Sequence, residues 1–262
     1  MISRQLGVRK FHVMPELEDH DKFEKDGVSS FLSAEAYDVS WTQYQKFLLD
    51  ELNKRTAGTQ YENMSVFDIL IATARHMDQA AVFNYSSLAH NNHFFFDGLI
   101  GPSSQEPSTT PLRKAENAIN VSFTELAELK EHMRAIVESM SGNGFVWLVE
   151  GPKKLWYLVP TYNSGTPYDY ARTQDTDLNG PLSTSRFNTA QTRQADLHRN
   201  ALNGLGTPLP LLCIKVFEHG YLKDYGFDRT TYFENWWKTI NWTKIEQRID
   251  PEAFTGSSHV QL

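Results

Sequence analysis

The sequence predicts an α+β fold, an N-terminal antiparallel helical hairpin followed by a small antiparallel three-stranded sheet with flanking helices. Three observations predict it. Large apolar residues recur at helical spacing through the first half, short apolar runs replace that period after residue 144, and helix-like sequence rich in tryptophan returns near the end. With 40% hydrophobic residues, a chain of 262 has ample material for one large domain or two small ones.

The elements follow in order. The first ten residues, MISRQLGVRK, carry Arg4, Arg9 and Lys10 with no acid, which reads as a mitochondrial presequence or its remnant, or as an ordinary flexible N-terminus. Residues 1–30 are taken as an N-terminal extension. From Ser33 to Leu52, Tyr37, Trp41, Tyr44, Leu48 and Leu52 share one helical face, with Ser33 placed to cap its start. A second helical run, Val66 to about Leu99, has no proline and no glycine before Gly98, and packing it antiparallel on the first gives a hairpin domain over 31–100. The Pro-, Ser- and Thr-rich stretch Gly101–Pro111 reads as a linker.

After the linker, Ser122 and Glu125 form a capping-box pattern ahead of Leu126, Leu129, Met133, Ile136 and Val137, and Gly142 and Gly144 stop that helix. Phe145–Val149 and Leu155–Val159 then read as a hairpin, and Leu211–Phe217 as a third strand. Thr231–Ile249 returns to helix with Trp236, Trp237 and Trp242. The second domain is therefore 112–250, with a C-terminal tail over 251–262. It contains a long polar insertion at 168–206, which is poor in large aliphatics and reads as a surface segment ordered by a partner.

Composition excludes several functions. A single cysteine, Cys213, allows no intramolecular disulfide and no thiolate zinc site, and suits a reducing compartment. No run approaches the roughly 18 apolar residues of a membrane helix. A net charge of -7 argues against a protein that coats phosphate backbones, although it leaves room for a local basic patch.

Four local motifs, in order, resemble the iron/manganese superoxide dismutase family. Val82-Phe83-Asn84, followed by Asn91, Phe94, Phe95, Phe96 and Leu99, is similar to that family's second helix. Gly142–Val149 is similar to its GSGWxWLV strand, and Asn163–Pro167 to its NAGTP turn. Pro210-Leu211-Leu212, Val216-Phe217-Glu218-His219 and Tyr221 resemble PLLxxDVWEHAYY, with Asp224-Tyr225, Tyr232 and Asn241-Trp242 following at the family's intervals. The likeness spans roughly residues 32 to 248.

The resemblance implies a metal held by three imidazoles and one carboxylate, with an open position. The first ligand position is Ser40, before Trp41; the second is Asn92, after Asn91; the carboxylate position is Lys215; the last, His219, keeps its residue type. Three of four ligands are absent. An ammonium in place of a carboxylate changes the local charge by two units against a cation, each unit pair amounting to about 4 kcal/mol at 4 Å and an effective dielectric near 20. The gateway tyrosine position holds Leu48, the iron-type glutamine position Leu88, and the region of Ser164 supplies no glutamine. His90 and His93 share a helix face but have no evident third ligand, and are read as polar residues at a surface or interface.

In the dismutases the Glu-His pair also belongs to the dimer interface, so Glu218, His219 and Tyr221 are read as a retained pairing surface, with a buried Glu-His pair inside one chain as the alternative. A dismutase fold without its metal centre resembles the dismutase-derived proteins of the fungal mitochondrial small ribosomal subunit. That likeness implies a non-catalytic component in the mitochondrial matrix with no cofactor, paired with a paralogous dismutase-like subunit as a heterodimer, touching neighbouring mitochondrial ribosomal proteins, and not bound to a membrane. Contact with rRNA or with a neighbouring protein is assigned to Arg172, Arg186, Arg193 and Arg199 of the insertion, and solvated side chains explain them equally well. The competing functions are a divergent metal-dependent dismutase and a dismutase-like scaffold outside the ribosome.

Overall fold

The computed structural model describes residues 12–102, 108–151, 154–168 and 208–249. Residues 1–11, the tail and nearly all of the insertion, with its four arginines, lie outside the described residues. So does part of the linker.

Ser33 starts the first arm as its sequence position predicts. Its extended backbone and hydroxyl cap α2 (Ala34–Tyr37) by accepting the Ala36 N–H. The expected single helix is then interrupted, because Asp38–Gln43 winds as a π turn before α3 (Tyr44–Thr56) continues. Before this arm, α1 (His20–Asp26) buries Phe23 against Tyr37. Asn53 accepts the His12 N–H and donates to the His12 carbonyl, so the extension is fastened to the hairpin from residue 12 onward.

The second arm is also broken. Ser65 caps α4 (Val66–Thr73), His76 is extended, a short 3-10 turn spans Met77–Gln79, and α5 (Ala80–Asp97) follows. Neither proline nor glycine marks the break; the chain folds there so that α4 packs back on α5. Leu52 clusters with Val82, Leu48 with Ala89, and Tyr37 with Phe96, so α3 and α5 run antiparallel along their length.

The capping-box expectation is corrected. Ser122 lies inside a helix that the sequence reading did not identify, α6 (Arg113–Phe123), and its hydroxyl accepts the Trp156 N–H at 2.9 Å. The chain turns through Thr124 with φ 64 before α7 (Leu126–Ser139), whose N-cap Glu125 makes no side-chain cap. The apolar spacing Ala115, Ile119, Phe123 was the available signal for α6, and these are its buried residues.

Three antiparallel strands, β1 (Gly144–Glu150), β2 (Trp156–Tyr162) and β3 (Leu209–Val216), lie in the order β2-β1-β3. Every residue of the central strand is buried, which explains its unbroken apolar run. A bulge between Leu148 and Val149 shifts the register against β3, so that Leu148 faces Leu212 and Val149 faces Pro210. Beyond the sheet come α8 (Glu218–Tyr225), α9 (Arg229–Trp237) and α10 (Trp242–Ile249). Aromatic side chains fill the space between helices and sheet, Trp147 packing on Phe94 and Phe145 on Phe217. No helix among the described residues is long and apolar enough to cross a membrane.

Candidate functional site

The π turn builds the centre of the molecule. In an unbroken α-helix the Tyr44 N–H would bond to the Ser40 carbonyl. Here it bonds to the Trp41 carbonyl instead, and the Ser40 oxygen turns to side chains from other elements. Lys215, from the β3 end nearest α8, places Nζ 3.0 Å from that carbonyl oxygen, 3.0 Å from Ser40 Oγ and 2.8 Å from Asn92 Oδ1. The Asn92 amide donates to Gln45 Oε1 at 3.0 Å and more weakly to the Ser40 carbonyl, and Gln45 donates to the Ala89 carbonyl. Ser40, Asn92 and Lys215, separated by up to 175 positions, thus meet at one buried point.

His219 stands beside this network and outside its hydrogen bonds. Its ring lies 4.2 Å from that of Tyr44 and 5.3 Å from that of Phe217, and its buried Nε2 has no hydrogen-bond partner among the described residues. Burial, with the charge of Lys215 second, pushes its imidazole down to about 3, so it is neutral near neutral pH. Lys215 itself is fully buried under the rings of Tyr44, Phe96 and Phe217, with Nζ 4.6 Å above the Tyr44 ring.

Burial also drives the Lys215 amine well below the usual lysine range. That amends the electrostatic argument made from sequence, which placed a full ammonium at this position. A neutral amine donates two of the three bonds and receives the third from the Ser40 hydroxyl, so the geometry is satisfied in either state. What opposes a metal here is therefore less the charge than the donor set. The centre offers an amide, a hydroxyl and a backbone carbonyl, its middle is filled by Nζ, and among the described residues no three His, Cys, Asp or Glu side chains converge. The residues present do not fit the family's metal.

The other motif residues are structural. Asn91 donates to the Gly165 carbonyl, Ser87 to the Ser164 carbonyl, and Ser164 to Asn84, so α5 holds the Asn163–Pro167 turn. His90 and His93, read as polar residues at a surface or interface, are half-buried within the chain. His90 bonds to the Tyr168 hydroxyl at 2.8 Å and lies against Phe67, while His93 packs on Trp41. Tyr44 and Tyr232, whose hydroxyl donates to the Lys215 carbonyl, were named from sequence for the helical face and the motif intervals but not as members of the centre, and Gln45, marked only by its polarity among apolar neighbours, was not named at all.

The pairing residues separate. Glu218 is exposed in the first turn of α8 and His219 is half-buried, which removes the alternative of a buried Glu-His pair. Tyr221 is corrected: only 2% exposed, it lies against Tyr232 and accepts a hydrogen bond from Arg229, so its side chain faces the core.

Comparison with known proteins places these observations. Residues 182–248 match the family described as iron/manganese superoxide dismutases, C-terminal domain. The chain is 30% identical to small ribosomal subunit protein mS43 of Schizosaccharomyces pombe, over 91% of this chain and 84% of that protein. It is 31% identical to mS42 of the same organism, over 85% and 90%. It is 24% identical to the iron superoxide dismutase of Escherichia coli K12, over 87% and 94%.

Proposed function

We propose that this chain, which belongs to the dismutase-like family holding the small ribosomal subunit proteins mS43 and mS42, is a non-catalytic structural component of the mitochondrial small ribosomal subunit. The observation that carries the reading is the position of Lys215. Its amine fills the point where Ser40 and Asn92 converge, so the geometry that would serve a reaction serves a packed core instead. Three ligand positions, Ser40, Asn92 and Lys215, have lost their ligands in this reading, and His219 is retained beside them without a metal to bind.

The finer parts of the proposal follow from the same relatives. Two paralogous relatives match along most of the chain, which supports pairing with a paralogous dismutase-like subunit. Exposed Glu218, with His219 behind it, is the surface assigned to that pairing, and Tyr221 supports it from within. Residence in the matrix, contacts with neighbouring ribosomal proteins and limited rRNA contact through the insertion arginines complete the assignment.

Sedimentation tests it. Mitochondrial lysate resolved on a sucrose gradient is expected to carry the protein with the small subunit; a protein that stays at the top of the gradient overturns the ribosomal role. Iron or manganese near one per chain, together with superoxide dismutation, would instead establish an enzyme.

A further inference from the structure

We infer that Lys215 is an internal clasp, an amine delivered from the sheet that ties the π turn and α5 to β3 and fixes how the helical hairpin docks on the rest of the fold. The inference rests on the reading of the centre as metal-free and says what does the joining there.

The three hydrogen bonds of Nζ reach two separate elements of the hairpin, Ser40 in the π turn and Asn92 in α5, while the lysine backbone is held in β3 and by the Tyr232 hydroxyl from α9. One side chain thus joins elements from both halves. Links between the halves also exist elsewhere: Ser33 to Asp224 and Arg248 to Asp97 lie where water competes for the same groups, and Asn91 and Ser87 tie α5 only to the Asn163–Pro167 turn and not to β3. The Lys215 contacts are fully buried, so bulk water does not compete for them. Breaking them strands Asn92 Oδ1 and Ser40 Oγ in the core, a loss that separating the halves would relieve. The hydrogen bonds of Asn92 to Gln45 and of Gln45 to Ala89 pass the constraint along α3 and α5. An apolar side chain of the same length fills the space without making the joint.

Hydrogen exchange on the full-length protein tests the clasp. In Lys215→Met, amides of α3 and α5 are expected to exchange about tenfold faster or more relative to those of β1, the size expected when buried acceptors lose their donor. In Lys215→Ala, n-propylamine supplies the missing atoms and should restore the protection of α3 and α5, whereas 1-propanethiol of similar size should not. Unchanged exchange, or acceleration equal in both halves, overturns the clasp. If the lysine variants do not fold, Ser40→Ala, which removes one acceptor, must show the same selective pattern at smaller size, and its absence overturns the inference equally. Elemental analysis of the wild-type preparation reports separately on the metal-free reading: bound iron or manganese defeats that reading, while uniform exchange in metal-free protein defeats only the clasp.

Discussion

Lys215 Nζ donates to Asn92 Oδ1 at 2.8 Å, and each of the three groups hydrogen-bonded to this amine is uncharged. A buried lysine without an opposing carboxylate titrates in a particular direction. Its folded pKa lies well below 10.5 because burial penalises the ammonium, so between that lowered value and 10.5 the unfolded chain binds a proton that the folded chain does not. Stability contributed by this group is complete above 10.5 and is lost as pH falls toward the folded value. Urea unfolding of wild type and Lys215→Met at pH 7 and pH 9.5 should therefore differ in slope, wild type gaining on the variant by up to about 1.4 kcal/mol per pH unit. Parallel stability profiles would show that the amine stays charged in the fold.

Two histidines act at the other end of the scale. Burial pushes His90 down to about 3, with His93 next in effect, and His219 to the same value. Both are neutral in the fold at pH 5, where unfolded imidazoles are charged, so stability falls as pH drops from about 6.5 toward 3, by up to about 1.4 kcal/mol per unit for each group. The double variant His90→Asn, His219→Asn should flatten the acid limb of the unfolding curve measured by circular dichroism. A limb as steep as that of wild type would remove both residues from the account.

Much of the fold was legible because it is carried by local signals. Ser33 caps where its sequence position says it should, and the apolar run Phe145–Val149 of β1 lies at the centre of the sheet. Asn92 and Lys215 could be placed at one centre only through the resemblance of the surrounding motifs to those of the dismutase family. The π turn at Asp38–Gln43 was not legible, because Trp41, Leu48 and Leu52 keep a spacing that an unbroken helix also satisfies, and the released Ser40 carbonyl leaves no mark in residue type. Ser122 failed for a related reason. Its hydroxyl fits a cap by spacing, but tertiary packing gives it the Trp156 N–H to accept.

Metal addition should leave the protein unchanged. A site occupied at a hundred times its Kd would add about 2.7 kcal/mol to stability, which for a chain of this size raises Tm by several degrees, on the order of 2–4 °C per kcal/mol. Because Nζ fills the centre and amide and hydroxyl groups surround it, thermal unfolding with and without manganese is expected to give the same Tm. A rise of that size would contradict the account of the donor set.

Glu246 caps a helix far from it in sequence. Its two carboxylate oxygens accept the Lys114 and Ala115 N–H groups at 3.0 Å each, serving the start of α6, where Leu112 makes no side-chain cap. Glu246→Ala strands both donors, one of them buried, and should cost about 1–2 kcal/mol in urea unfolding, the range measured for lost caps. Glu246→Gln keeps one acceptor and should lose less. Equal losses in the two variants would assign the effect to charge alone.

Glu218 offers the sharpest test of pairing because it is exposed, whereas its neighbours turn inward. Its side chain makes no hydrogen bond among the described residues, while its backbone N–H is held by Asn143 at 3.2 Å. Reversal of its charge therefore removes no described side-chain contact within the chain, and Glu218→Lys should unfold like wild type, within about 0.5 kcal/mol. If the carboxylate is buried against a partner, the reversed charge costs about 3–5 kcal/mol on association, a loss of two orders of magnitude or more in affinity. Co-purification of the variant with the paralogous subunit at wild-type yield, and sedimentation with the small subunit unchanged, would place the pairing surface elsewhere on the molecule. Tyr221→Phe is the companion variant. It keeps the ring and removes only the hydroxyl that Arg229 bonds, so a loss of pairing there without a loss of stability would mean that the core beneath α8 positions Glu218 for its partner.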